Sequence, residues 1–127
     1  MAKRIFFLIF TLMLSLNAFA ETRLKGSIGP YQVTIVIDGT YNGYYYYDSR
    51  PNTKFKLKCV RIKNTFNNYS GNFTDDVVIQ EYSPKGVNTG TFRGSISGVV
   101  GRGLSFGGAF TNNTTKKKFS FSAFGKW

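Results

Sequence analysis

Residues 54–63 read KFKLKCVRIK, and this stretch decides the fold class of the chain. From Lys54 to Cys59, three lysines alternate with three apolar residues, and a period of two is typical of a β-strand with one wet face. The alternation then slips, because Val60 and Ile62 fall on the face of the lysines. A slip of one residue would return both side chains to the core. We therefore predict a β-bulge or a bend at Cys59 and Val60.

The same period-two pattern recurs along the chain after residue 20, without a convincing helical period. Turns rich in Gly, Asn, Asp and Pro separate seven or eight short strands in sequence-adjacent hairpins. Such an antiparallel meander closes most readily into a small up-and-down β-barrel or a two-sheet sandwich. We predict an all-β fold with a single domain over residues 21–127. Residues 64–74 are expected to form a long polar loop or a ragged hairpin end.

Two glycines, Gly94 and Gly108, fall inside predicted strands. Glycine in a strand costs stability unless another group packs closely over it. We expect a bulky side chain from a neighbouring strand to cross over each of them.

The first twenty residues predict export. A basic start precedes an apolar run at 5–16, and the small-x-small ending Ala-Phe-Ala at 18–20 is typical of a cleavage site. We predict a signal peptide over residues 1–20, cleavage after Ala20, and a periplasmic or secreted product. The apolar run is shorter than the ~20 residues of a spanning helix, so we expect no membrane span after cleavage.

The predicted mature part is strongly basic. The chain has 17 Lys and Arg side chains against 6 Asp and Glu, and removal of Lys3 and Arg4 leaves 15 against 6, or +9. A charge of this size favours anionic partners. We expect an acidic protein or an anionic cell-envelope polymer, no nucleic acid because the protein is exported, and a monomeric state.

The residue types disfavour catalysis. The chain has no histidine and one cysteine, Cys59, so Ser-His-Asp, Cys-His and common zinc sites cannot be assembled. The acidic residues do not have the pattern of a two-carboxylate glycosidase. We predict a non-enzymatic protein with no catalytic, cofactor or metal site. Cys59 cannot form an intramolecular disulfide, and we expect it to be a small buried hydrophobe.

The order of short motifs resembles that of small secreted bacterial β-barrel proteins of largely unassigned role, which carry a T-G-x-F-x-G strand. The matching segments are 43–46 (GYYY), 55–57 (FKL), 78–81 (VIQE), 89–94 (TGTFRG), 107–110 (GGAF) and 118–121 (KFSF). The TGTFRG element also gives a distant similarity to avidin-like barrels. The tryptophans of the avidin biotin pocket have no counterpart except Trp127, so biotin binding is not expected. Small periplasmic lysozyme inhibitors are similar in size and fold class.

Two features are candidates for a binding surface. The three lysines at 54, 56 and 58 lie ~6.6 Å apart along one strand face. In the run of four tyrosines at 44–47, two side chains should face the core and two should face outward. The candidate partner-binding residues are Lys54, Lys56, Lys58, Arg93, Tyr44, Tyr45, Tyr46 and Tyr47. Each feature also has a simpler interpretation, because exposed lysines prevent sheet aggregation and tyrosine is a good strand residue.

We predict an exported binding or inhibitor protein that uses this basic, tyrosine-rich surface. The first alternative is a carrier of a small apolar molecule, held inside the barrel against Phe55, Phe92, Phe106 and Phe110. A minor alternative is an outer-membrane β-barrel. The alternating apolar residues at the end of the chain finish with an aromatic residue, as the last strand of such barrels often does. A carrier should enclose an apolar cavity, whereas an inhibitor should have a filled core and a distinct surface patch.

Overall fold

Antiparallel strands follow one another in chain order around a closed barrel. The computed structural model describes residues 21–67, 71–99 and 102–126. The strands within these ranges are eight: β1 Thr22–Ile28, β2 Tyr31–Ile37, β3 Gly43–Tyr47, β4 Phe55–Asn67, β5 Asn72–Tyr82, β6 Asn88–Val99, β7 Gly103–Asn112 and β8 Lys118–Gly125. β1 pairs with both β2 and β8, which closes the barrel. The predicted all-β meander is confirmed, as a barrel. The predicted signal peptide and Trp127 lie outside the described residues.

The alternation predicted from the sequence fills the barrel with aromatic and aliphatic side chains. Phe92 lies at the centre, with its ring centroid 4.7 Å from that of Phe110 and 5.0 Å from that of Phe121. Phe106 packs against Phe121 at 4.7 Å. Tilted and edge-on aromatic pairs of this kind contribute about 0.5–1.5 kcal/mol each beyond their buried area. The barrel axis is therefore a packed core.

The predicted β-bulge is present in β4. Cys59 lies opposite Ile79 and Arg61 opposite Val78, so Val60 is the additional residue. The prediction that Val60 and Ile62 return to the core is wrong, because they are 51% and 52% exposed. The side chain of Val60 is left on the surface by the bulge itself. Ile62 does share a face with the buried Val77 opposite it on β5. The ladder with β3 extends only to Leu57, however, and leaves Ile62 uncovered.

The polar segment at 64–74 is mostly strand rather than a long loop. β4 continues to Asn67 and β5 begins at Asn72, with a second register shift between Asn64 and Phe66. The ragged hairpin end is thus confirmed, and the long loop is wrong. Side chains help to hold this hairpin together, since the Thr65 hydroxyl donates to the Thr74 carbonyl at 3.2 Å. These polar contacts replace the apolar alternation that would have indicated strands.

Gly94 on β6 and Gly108 on β7 lie opposite each other. The prediction that a bulky side chain crosses over each of them is wrong. A Cβ atom added to Gly94 would lie 1.9 Å from the Gly107 carbonyl oxygen, and one added to Gly108 would lie 2.2 Å from the Arg93 carbonyl oxygen. The close neighbour is therefore backbone. An aromatic ring does pack against another glycine of β6, since the ring of Phe110 lies over Gly90.

Candidate functional site

The β-bulge changes which residues of β4 face outward. Before it, even-numbered side chains point to the surface, and after it odd-numbered side chains do. Arg61 lies opposite Val78, whose neighbours Val77 and Ile79 are buried in the core. Five exposed cations therefore form one row, which we call the basic stripe: Lys54, Lys56, Lys58, Arg61 and Lys63.

The cations of the basic stripe make no ion pair among the described residues. Within the described ranges the ion pair is Lys25 with Asp48, at 3.3 Å and away from the stripe. Asp76 lies opposite Lys63, but the contact its carboxylate makes is a hydrogen bond of 2.8 Å from the Ser95 hydroxyl. Like charges in a row repel, and the repulsion is screened only by salt or by an anionic partner. The stripe is thus a surface suited to bind an anion.

A groove of about 680 Å³ lies at the Lys54 end of the stripe. Tyr44 on β3, Lys56 on β4 and Tyr82 on β5 lie directly opposite one another, so the lysine stands between two tyrosines. The Lys54 ammonium lies 5.9 Å from the ring centroid of Tyr44 and 5.3 Å from that of Tyr46, within the range of cation–π attraction. We call this the tyrosine groove, with the lining Gly43, Tyr44, Lys54, Lys56, Lys58, Tyr82, Ser83, Pro84 and Gly86.

The tyrosine run divides as expected into an outer and an inner pair. Tyr44 and Tyr46 lie on the surface beside the lysines, and the Tyr46 hydroxyl accepts a hydrogen bond from Arg23 at 3.2 Å. Tyr45 is buried, and Tyr47 packs against the core. The inner pair therefore does not belong to the candidate surface.

Arg93 lies on the outer face of β6, beside the end of the stripe that holds Arg61 and Lys63. It lies opposite Val78, on the other side of β5 from Arg61. A second groove of about 300 Å³ is lined by Arg61, Lys63 and Arg93, with the carboxylate-bearing Asp76 among them. Arg93 thus widens the stripe by two strands, and it does not line the tyrosine groove.

Sequence reasoning missed three residues of this surface. Arg61 and Lys63 could have been found, because the predicted slip that was expected to turn Val60 and Ile62 inward also turns these two cations outward. Tyr82 had no such signal, since its place beside Lys56 depends on the pairing of β4 with β5.

The barrel interior offers little room at the positions predicted for a carried ligand. Phe92, Phe106 and Phe110 are buried and pack on one another. Phe55 is half-buried at one end of the barrel, where its ring stacks on that of Tyr45 at a centroid distance of 5.3 Å. These aromatic side chains fill the space between them.

One carboxyl group lies inside the barrel. Glu81 is 4% exposed, accepts a hydrogen bond of 2.6 Å from the Thr89 hydroxyl, and makes another with the Tyr45 hydroxyl. Burial raises the pKa of Glu81, and the two hydrogen bonds oppose part of this rise. Burial, together with the negative charge of Glu81, also raises the pKa of Tyr45. The Glu81 carboxyl is held by these two hydroxyl groups.

Comparisons of this chain with family models, curated proteins and solved structures found no match. Among the described residues, no three His, Cys, Asp or Glu side chains are grouped as ligands of a metal ion. Over the same ranges, no helix is long and apolar enough to span a membrane. The geometry and charge of the basic stripe and tyrosine groove are therefore the basis for a proposal about function.

Proposed function

We propose that this is an exported, non-enzymatic protein that binds an acidic protein partner through the basic stripe and the tyrosine groove. The observation that carries the proposal is the row of five exposed cations with no ion-paired acid among the described residues. Such a row is repulsive in the free protein, and an acidic surface would relieve the repulsion on binding.

Binding would occur in two stages. The excess positive charge of the exported part, 15 Lys and Arg against 6 Asp and Glu or +9, attracts an acidic surface from a distance and speeds association. The partner then packs against Tyr44 and Tyr82, whose rings offer large apolar faces with a hydroxyl group at the tip. Tyrosine and arginine side chains of this kind often dominate the energy of protein interfaces.

The tyrosine groove favours a protein over an anionic polymer. A polymer of repeated negative groups needs only the row of cations. A groove with an aromatic residue on each side of Lys56 suits a partner with both an acidic and an apolar side chain. The anionic polymer is therefore the alternative that the experiment must separate.

The proposal is tested by fluorescence anisotropy with three labelled probes: a Glu/Val peptide of eight residues, polyphosphate and polygalacturonate. The stripe variant carries Lys56→Glu, Lys58→Glu and Arg61→Glu. The matched control carries Lys85→Glu, Lys117→Glu and Lys118→Glu, which makes the same change in charge at exposed positions outside the stripe. Circular dichroism confirms that both variants fold.

We expect the stripe variant to lose at least about tenfold in affinity for the peptide, and the control to lose less than about threefold. A Tyr44→Ser/Tyr82→Ser variant should weaken peptide binding and leave polyphosphate binding unchanged. Equal losses in the stripe and control variants would contradict the proposal, because binding would then depend on net charge alone. Tight binding of a polymer, unaffected by the tyrosine variant, would favour the anionic polymer.

A carrier function has one observation in its favour. A recess of about 370 Å³ at the end of the barrel is lined by Tyr31, Tyr47 and Phe55, with Arg50 at its rim. Any ligand there would lie at the mouth of the barrel and outside the packed core. Binding of an apolar fluorescent probe that Tyr31→Ala abolishes and the stripe variant leaves unchanged would support the carrier.

The outer-membrane alternative stays a prediction. The outward-facing cations in the middle of β4 and β6, Lys58, Arg61 and Arg93, weigh against it. Charged side chains on the lipid-facing side of a membrane barrel are destabilising, most of all near the midplane of the bilayer.

A further inference from the structure

We infer that the acidic partner binds as an extended strand that adds to the free edge of β4 at Val60–Asn64, an inference that rests on the proposed function. The stripe and this edge belong to the same strand. A peptide that pairs with the edge would place its own side chains beside the cations of the stripe.

The edge is free because β3 is much shorter than β4. The β3–β4 ladder has three pairs, and its last one joins Gly43 to Leu57. Just beyond it, the Cys59 N–H donates to the Asn42 side-chain oxygen at 2.8 Å, in place of a strand partner. From Val60 onward, no strand of the described ranges pairs with this side of β4, whereas β5 pairs with the other side to Asn67.

The free edge contains a regular segment of suitable length. Between the two register shifts, β4 pairs with β5 at four consecutive positions, from Arg61 opposite Val78 to Asn64 opposite Asp75. Four residues of strand extend about 13 Å. This is long enough for a short peptide to form backbone hydrogen bonds at alternate residues.

A well-held turn lies beside the site. Tyr41 has a positive φ of 64°, which is uncommon for a residue other than glycine. Its hydroxyl donates to the Asp75 carboxylate at 2.6 Å, and its ring packs against the core. These contacts keep the turn in place. Since Asp75 lies opposite Asn64, the Tyr41 side chain reaches the Asn64 end of the segment, and an added strand would pack beside it.

The side chains of the edge specify the chemistry of the peptide. Arg61 and Lys63 point outward, and Ile62 lies between them on the inward face, half exposed. Side chains directly opposite each other on paired strands lie about 4.5–5.5 Å apart, and opposite charges there are stabilising. The edge therefore fits a strand in which acidic residues alternate with apolar ones.

Charge disfavours two other occupants of this edge. A second copy would place its own arginine and lysines opposite Arg61 and Lys63, and like charges at such positions are destabilising. The segment 1–20 of this chain contains Lys3 and Arg4 and no acidic residue. The cations thus exclude basic strands from the edge, which protects it against self-association, and they admit an acidic one.

The test uses the intact protein and the eight-residue peptide of alternating Glu and Val. Two further versions carry N-methyl groups, one on every Glu nitrogen and the other on every Val nitrogen. In an added strand only one of these two sets of N–H groups faces β4. N-methylation leaves the charge of the peptide unchanged, so it separates backbone pairing from electrostatic attraction.

We expect one methylated series, and not both, to lose at least about tenfold in affinity. We also expect the unmodified peptide to slow amide hydrogen exchange in Val60–Asn64. If neither series loses affinity while the stripe variant still abolishes binding, strand addition is wrong and the proposed function stands. The same holds if both series lose equally without protection of the edge. If no version of the peptide binds, or only polyphosphate does, both the inference and the choice of a protein partner are wrong.

Discussion

Arg61 lies directly opposite Val78 on the outer face of the barrel, in the position that an unbroken alternation would have given to Val60. Without the bulge, Arg61 would share the inward face with Cys59, and Lys63 would follow it. Burial of an unpaired cation is very costly. By leaving Val60 out of the ladder, the bulge therefore keeps two cations out of the core and places them in the basic stripe.

Deletion of Val60 should be tolerated. The deletion joins Cys59 to Arg61, and the two residues already lie opposite consecutive residues of β5, Ile79 and Val78. Every side chain of β4 therefore keeps its face. We expect a cooperative thermal transition with a Tm within a few degrees of that of the wild type.

Deletion of Lys56 is the matched control, because it removes a residue from the regular part of the strand. It forces either Phe55 to the surface or Lys58 into the core. This variant should lose its cooperative transition, measured by circular dichroism. If the two deletions have the same effect, the bulge does not set the facing of β4.

Neutralisation of the stripe should stabilise the protein at low salt. Lys58 has no ion-paired acid among the described residues, so Lys58→Gln removes only repulsion from its neighbours. We expect its Tm to rise by about 2 °C at low ionic strength. The gain should vanish near 0.5 M salt, where charges more than a few ångströms apart are screened.

Lys25 provides the opposite case, because it pairs with Asp48 and also donates to the Thr34 hydroxyl at 2.7 Å. Lys25→Gln should lower the Tm at low salt. A fall in the Tm of Lys58→Gln under the same conditions would mean that the stripe is neutralised within the protein.

The buried carboxyl group should make stability depend on pH. Burial raises the pKa of Glu81 in the folded protein, whereas its pKa in the unfolded chain is about 4.3. The folded state thus binds the proton more tightly. The contribution of Glu81 protonation to stability is therefore fully present below about pH 4.3, and it is lost as the pH rises through the pKa of Glu81 in the folded protein.

Glu81→Gln removes this titration and keeps the shape of the side chain. The Tm of the variant minus that of the wild type should therefore increase between about pH 4 and pH 8. Thermal unfolding of both proteins across this range is the measurement, and the difference cancels effects of the other acidic residues. A difference that falls with increasing pH would mean that the carboxylate is stabilised in its charged form.

A side chain at Gly94 should be poorly tolerated. A Cβ atom there would lie 1.9 Å from the Gly107 carbonyl oxygen, so Gly94→Ala forces two strands apart and should cost about 1–3 kcal/mol or more in free energy of unfolding. Gly107→Ala is the control, since the nearest atom to its Cβ would be 3.4 Å away. Urea denaturation should show little change for the control. Equal costs at both positions would mean that the clash at Gly94 does not account for the loss of stability.

The local pattern of the chain was sufficient to predict most of its strands and much of their facing. Alternation at 54–59 placed Leu57 inside and the lysines outside, and the tyrosine run divided into inner and outer pairs. Even the bulge could be predicted, because it follows from a break in the same alternation. These features depend on the geometry of a single strand, in which successive side chains point to opposite faces.

What the sequence by itself determined was therefore an all-β chain, most of its inward-facing and outward-facing residues, and its excess of positive charge. Only the tertiary structure decided that β1 meets β8, that Tyr82 stands beside Lys56, and that β3 ends early enough to expose Ile62 and the edge of β4. These relationships join residues that are distant in the chain. They depend on strand register and on the relative lengths of neighbouring strands, which the period of one strand does not contain.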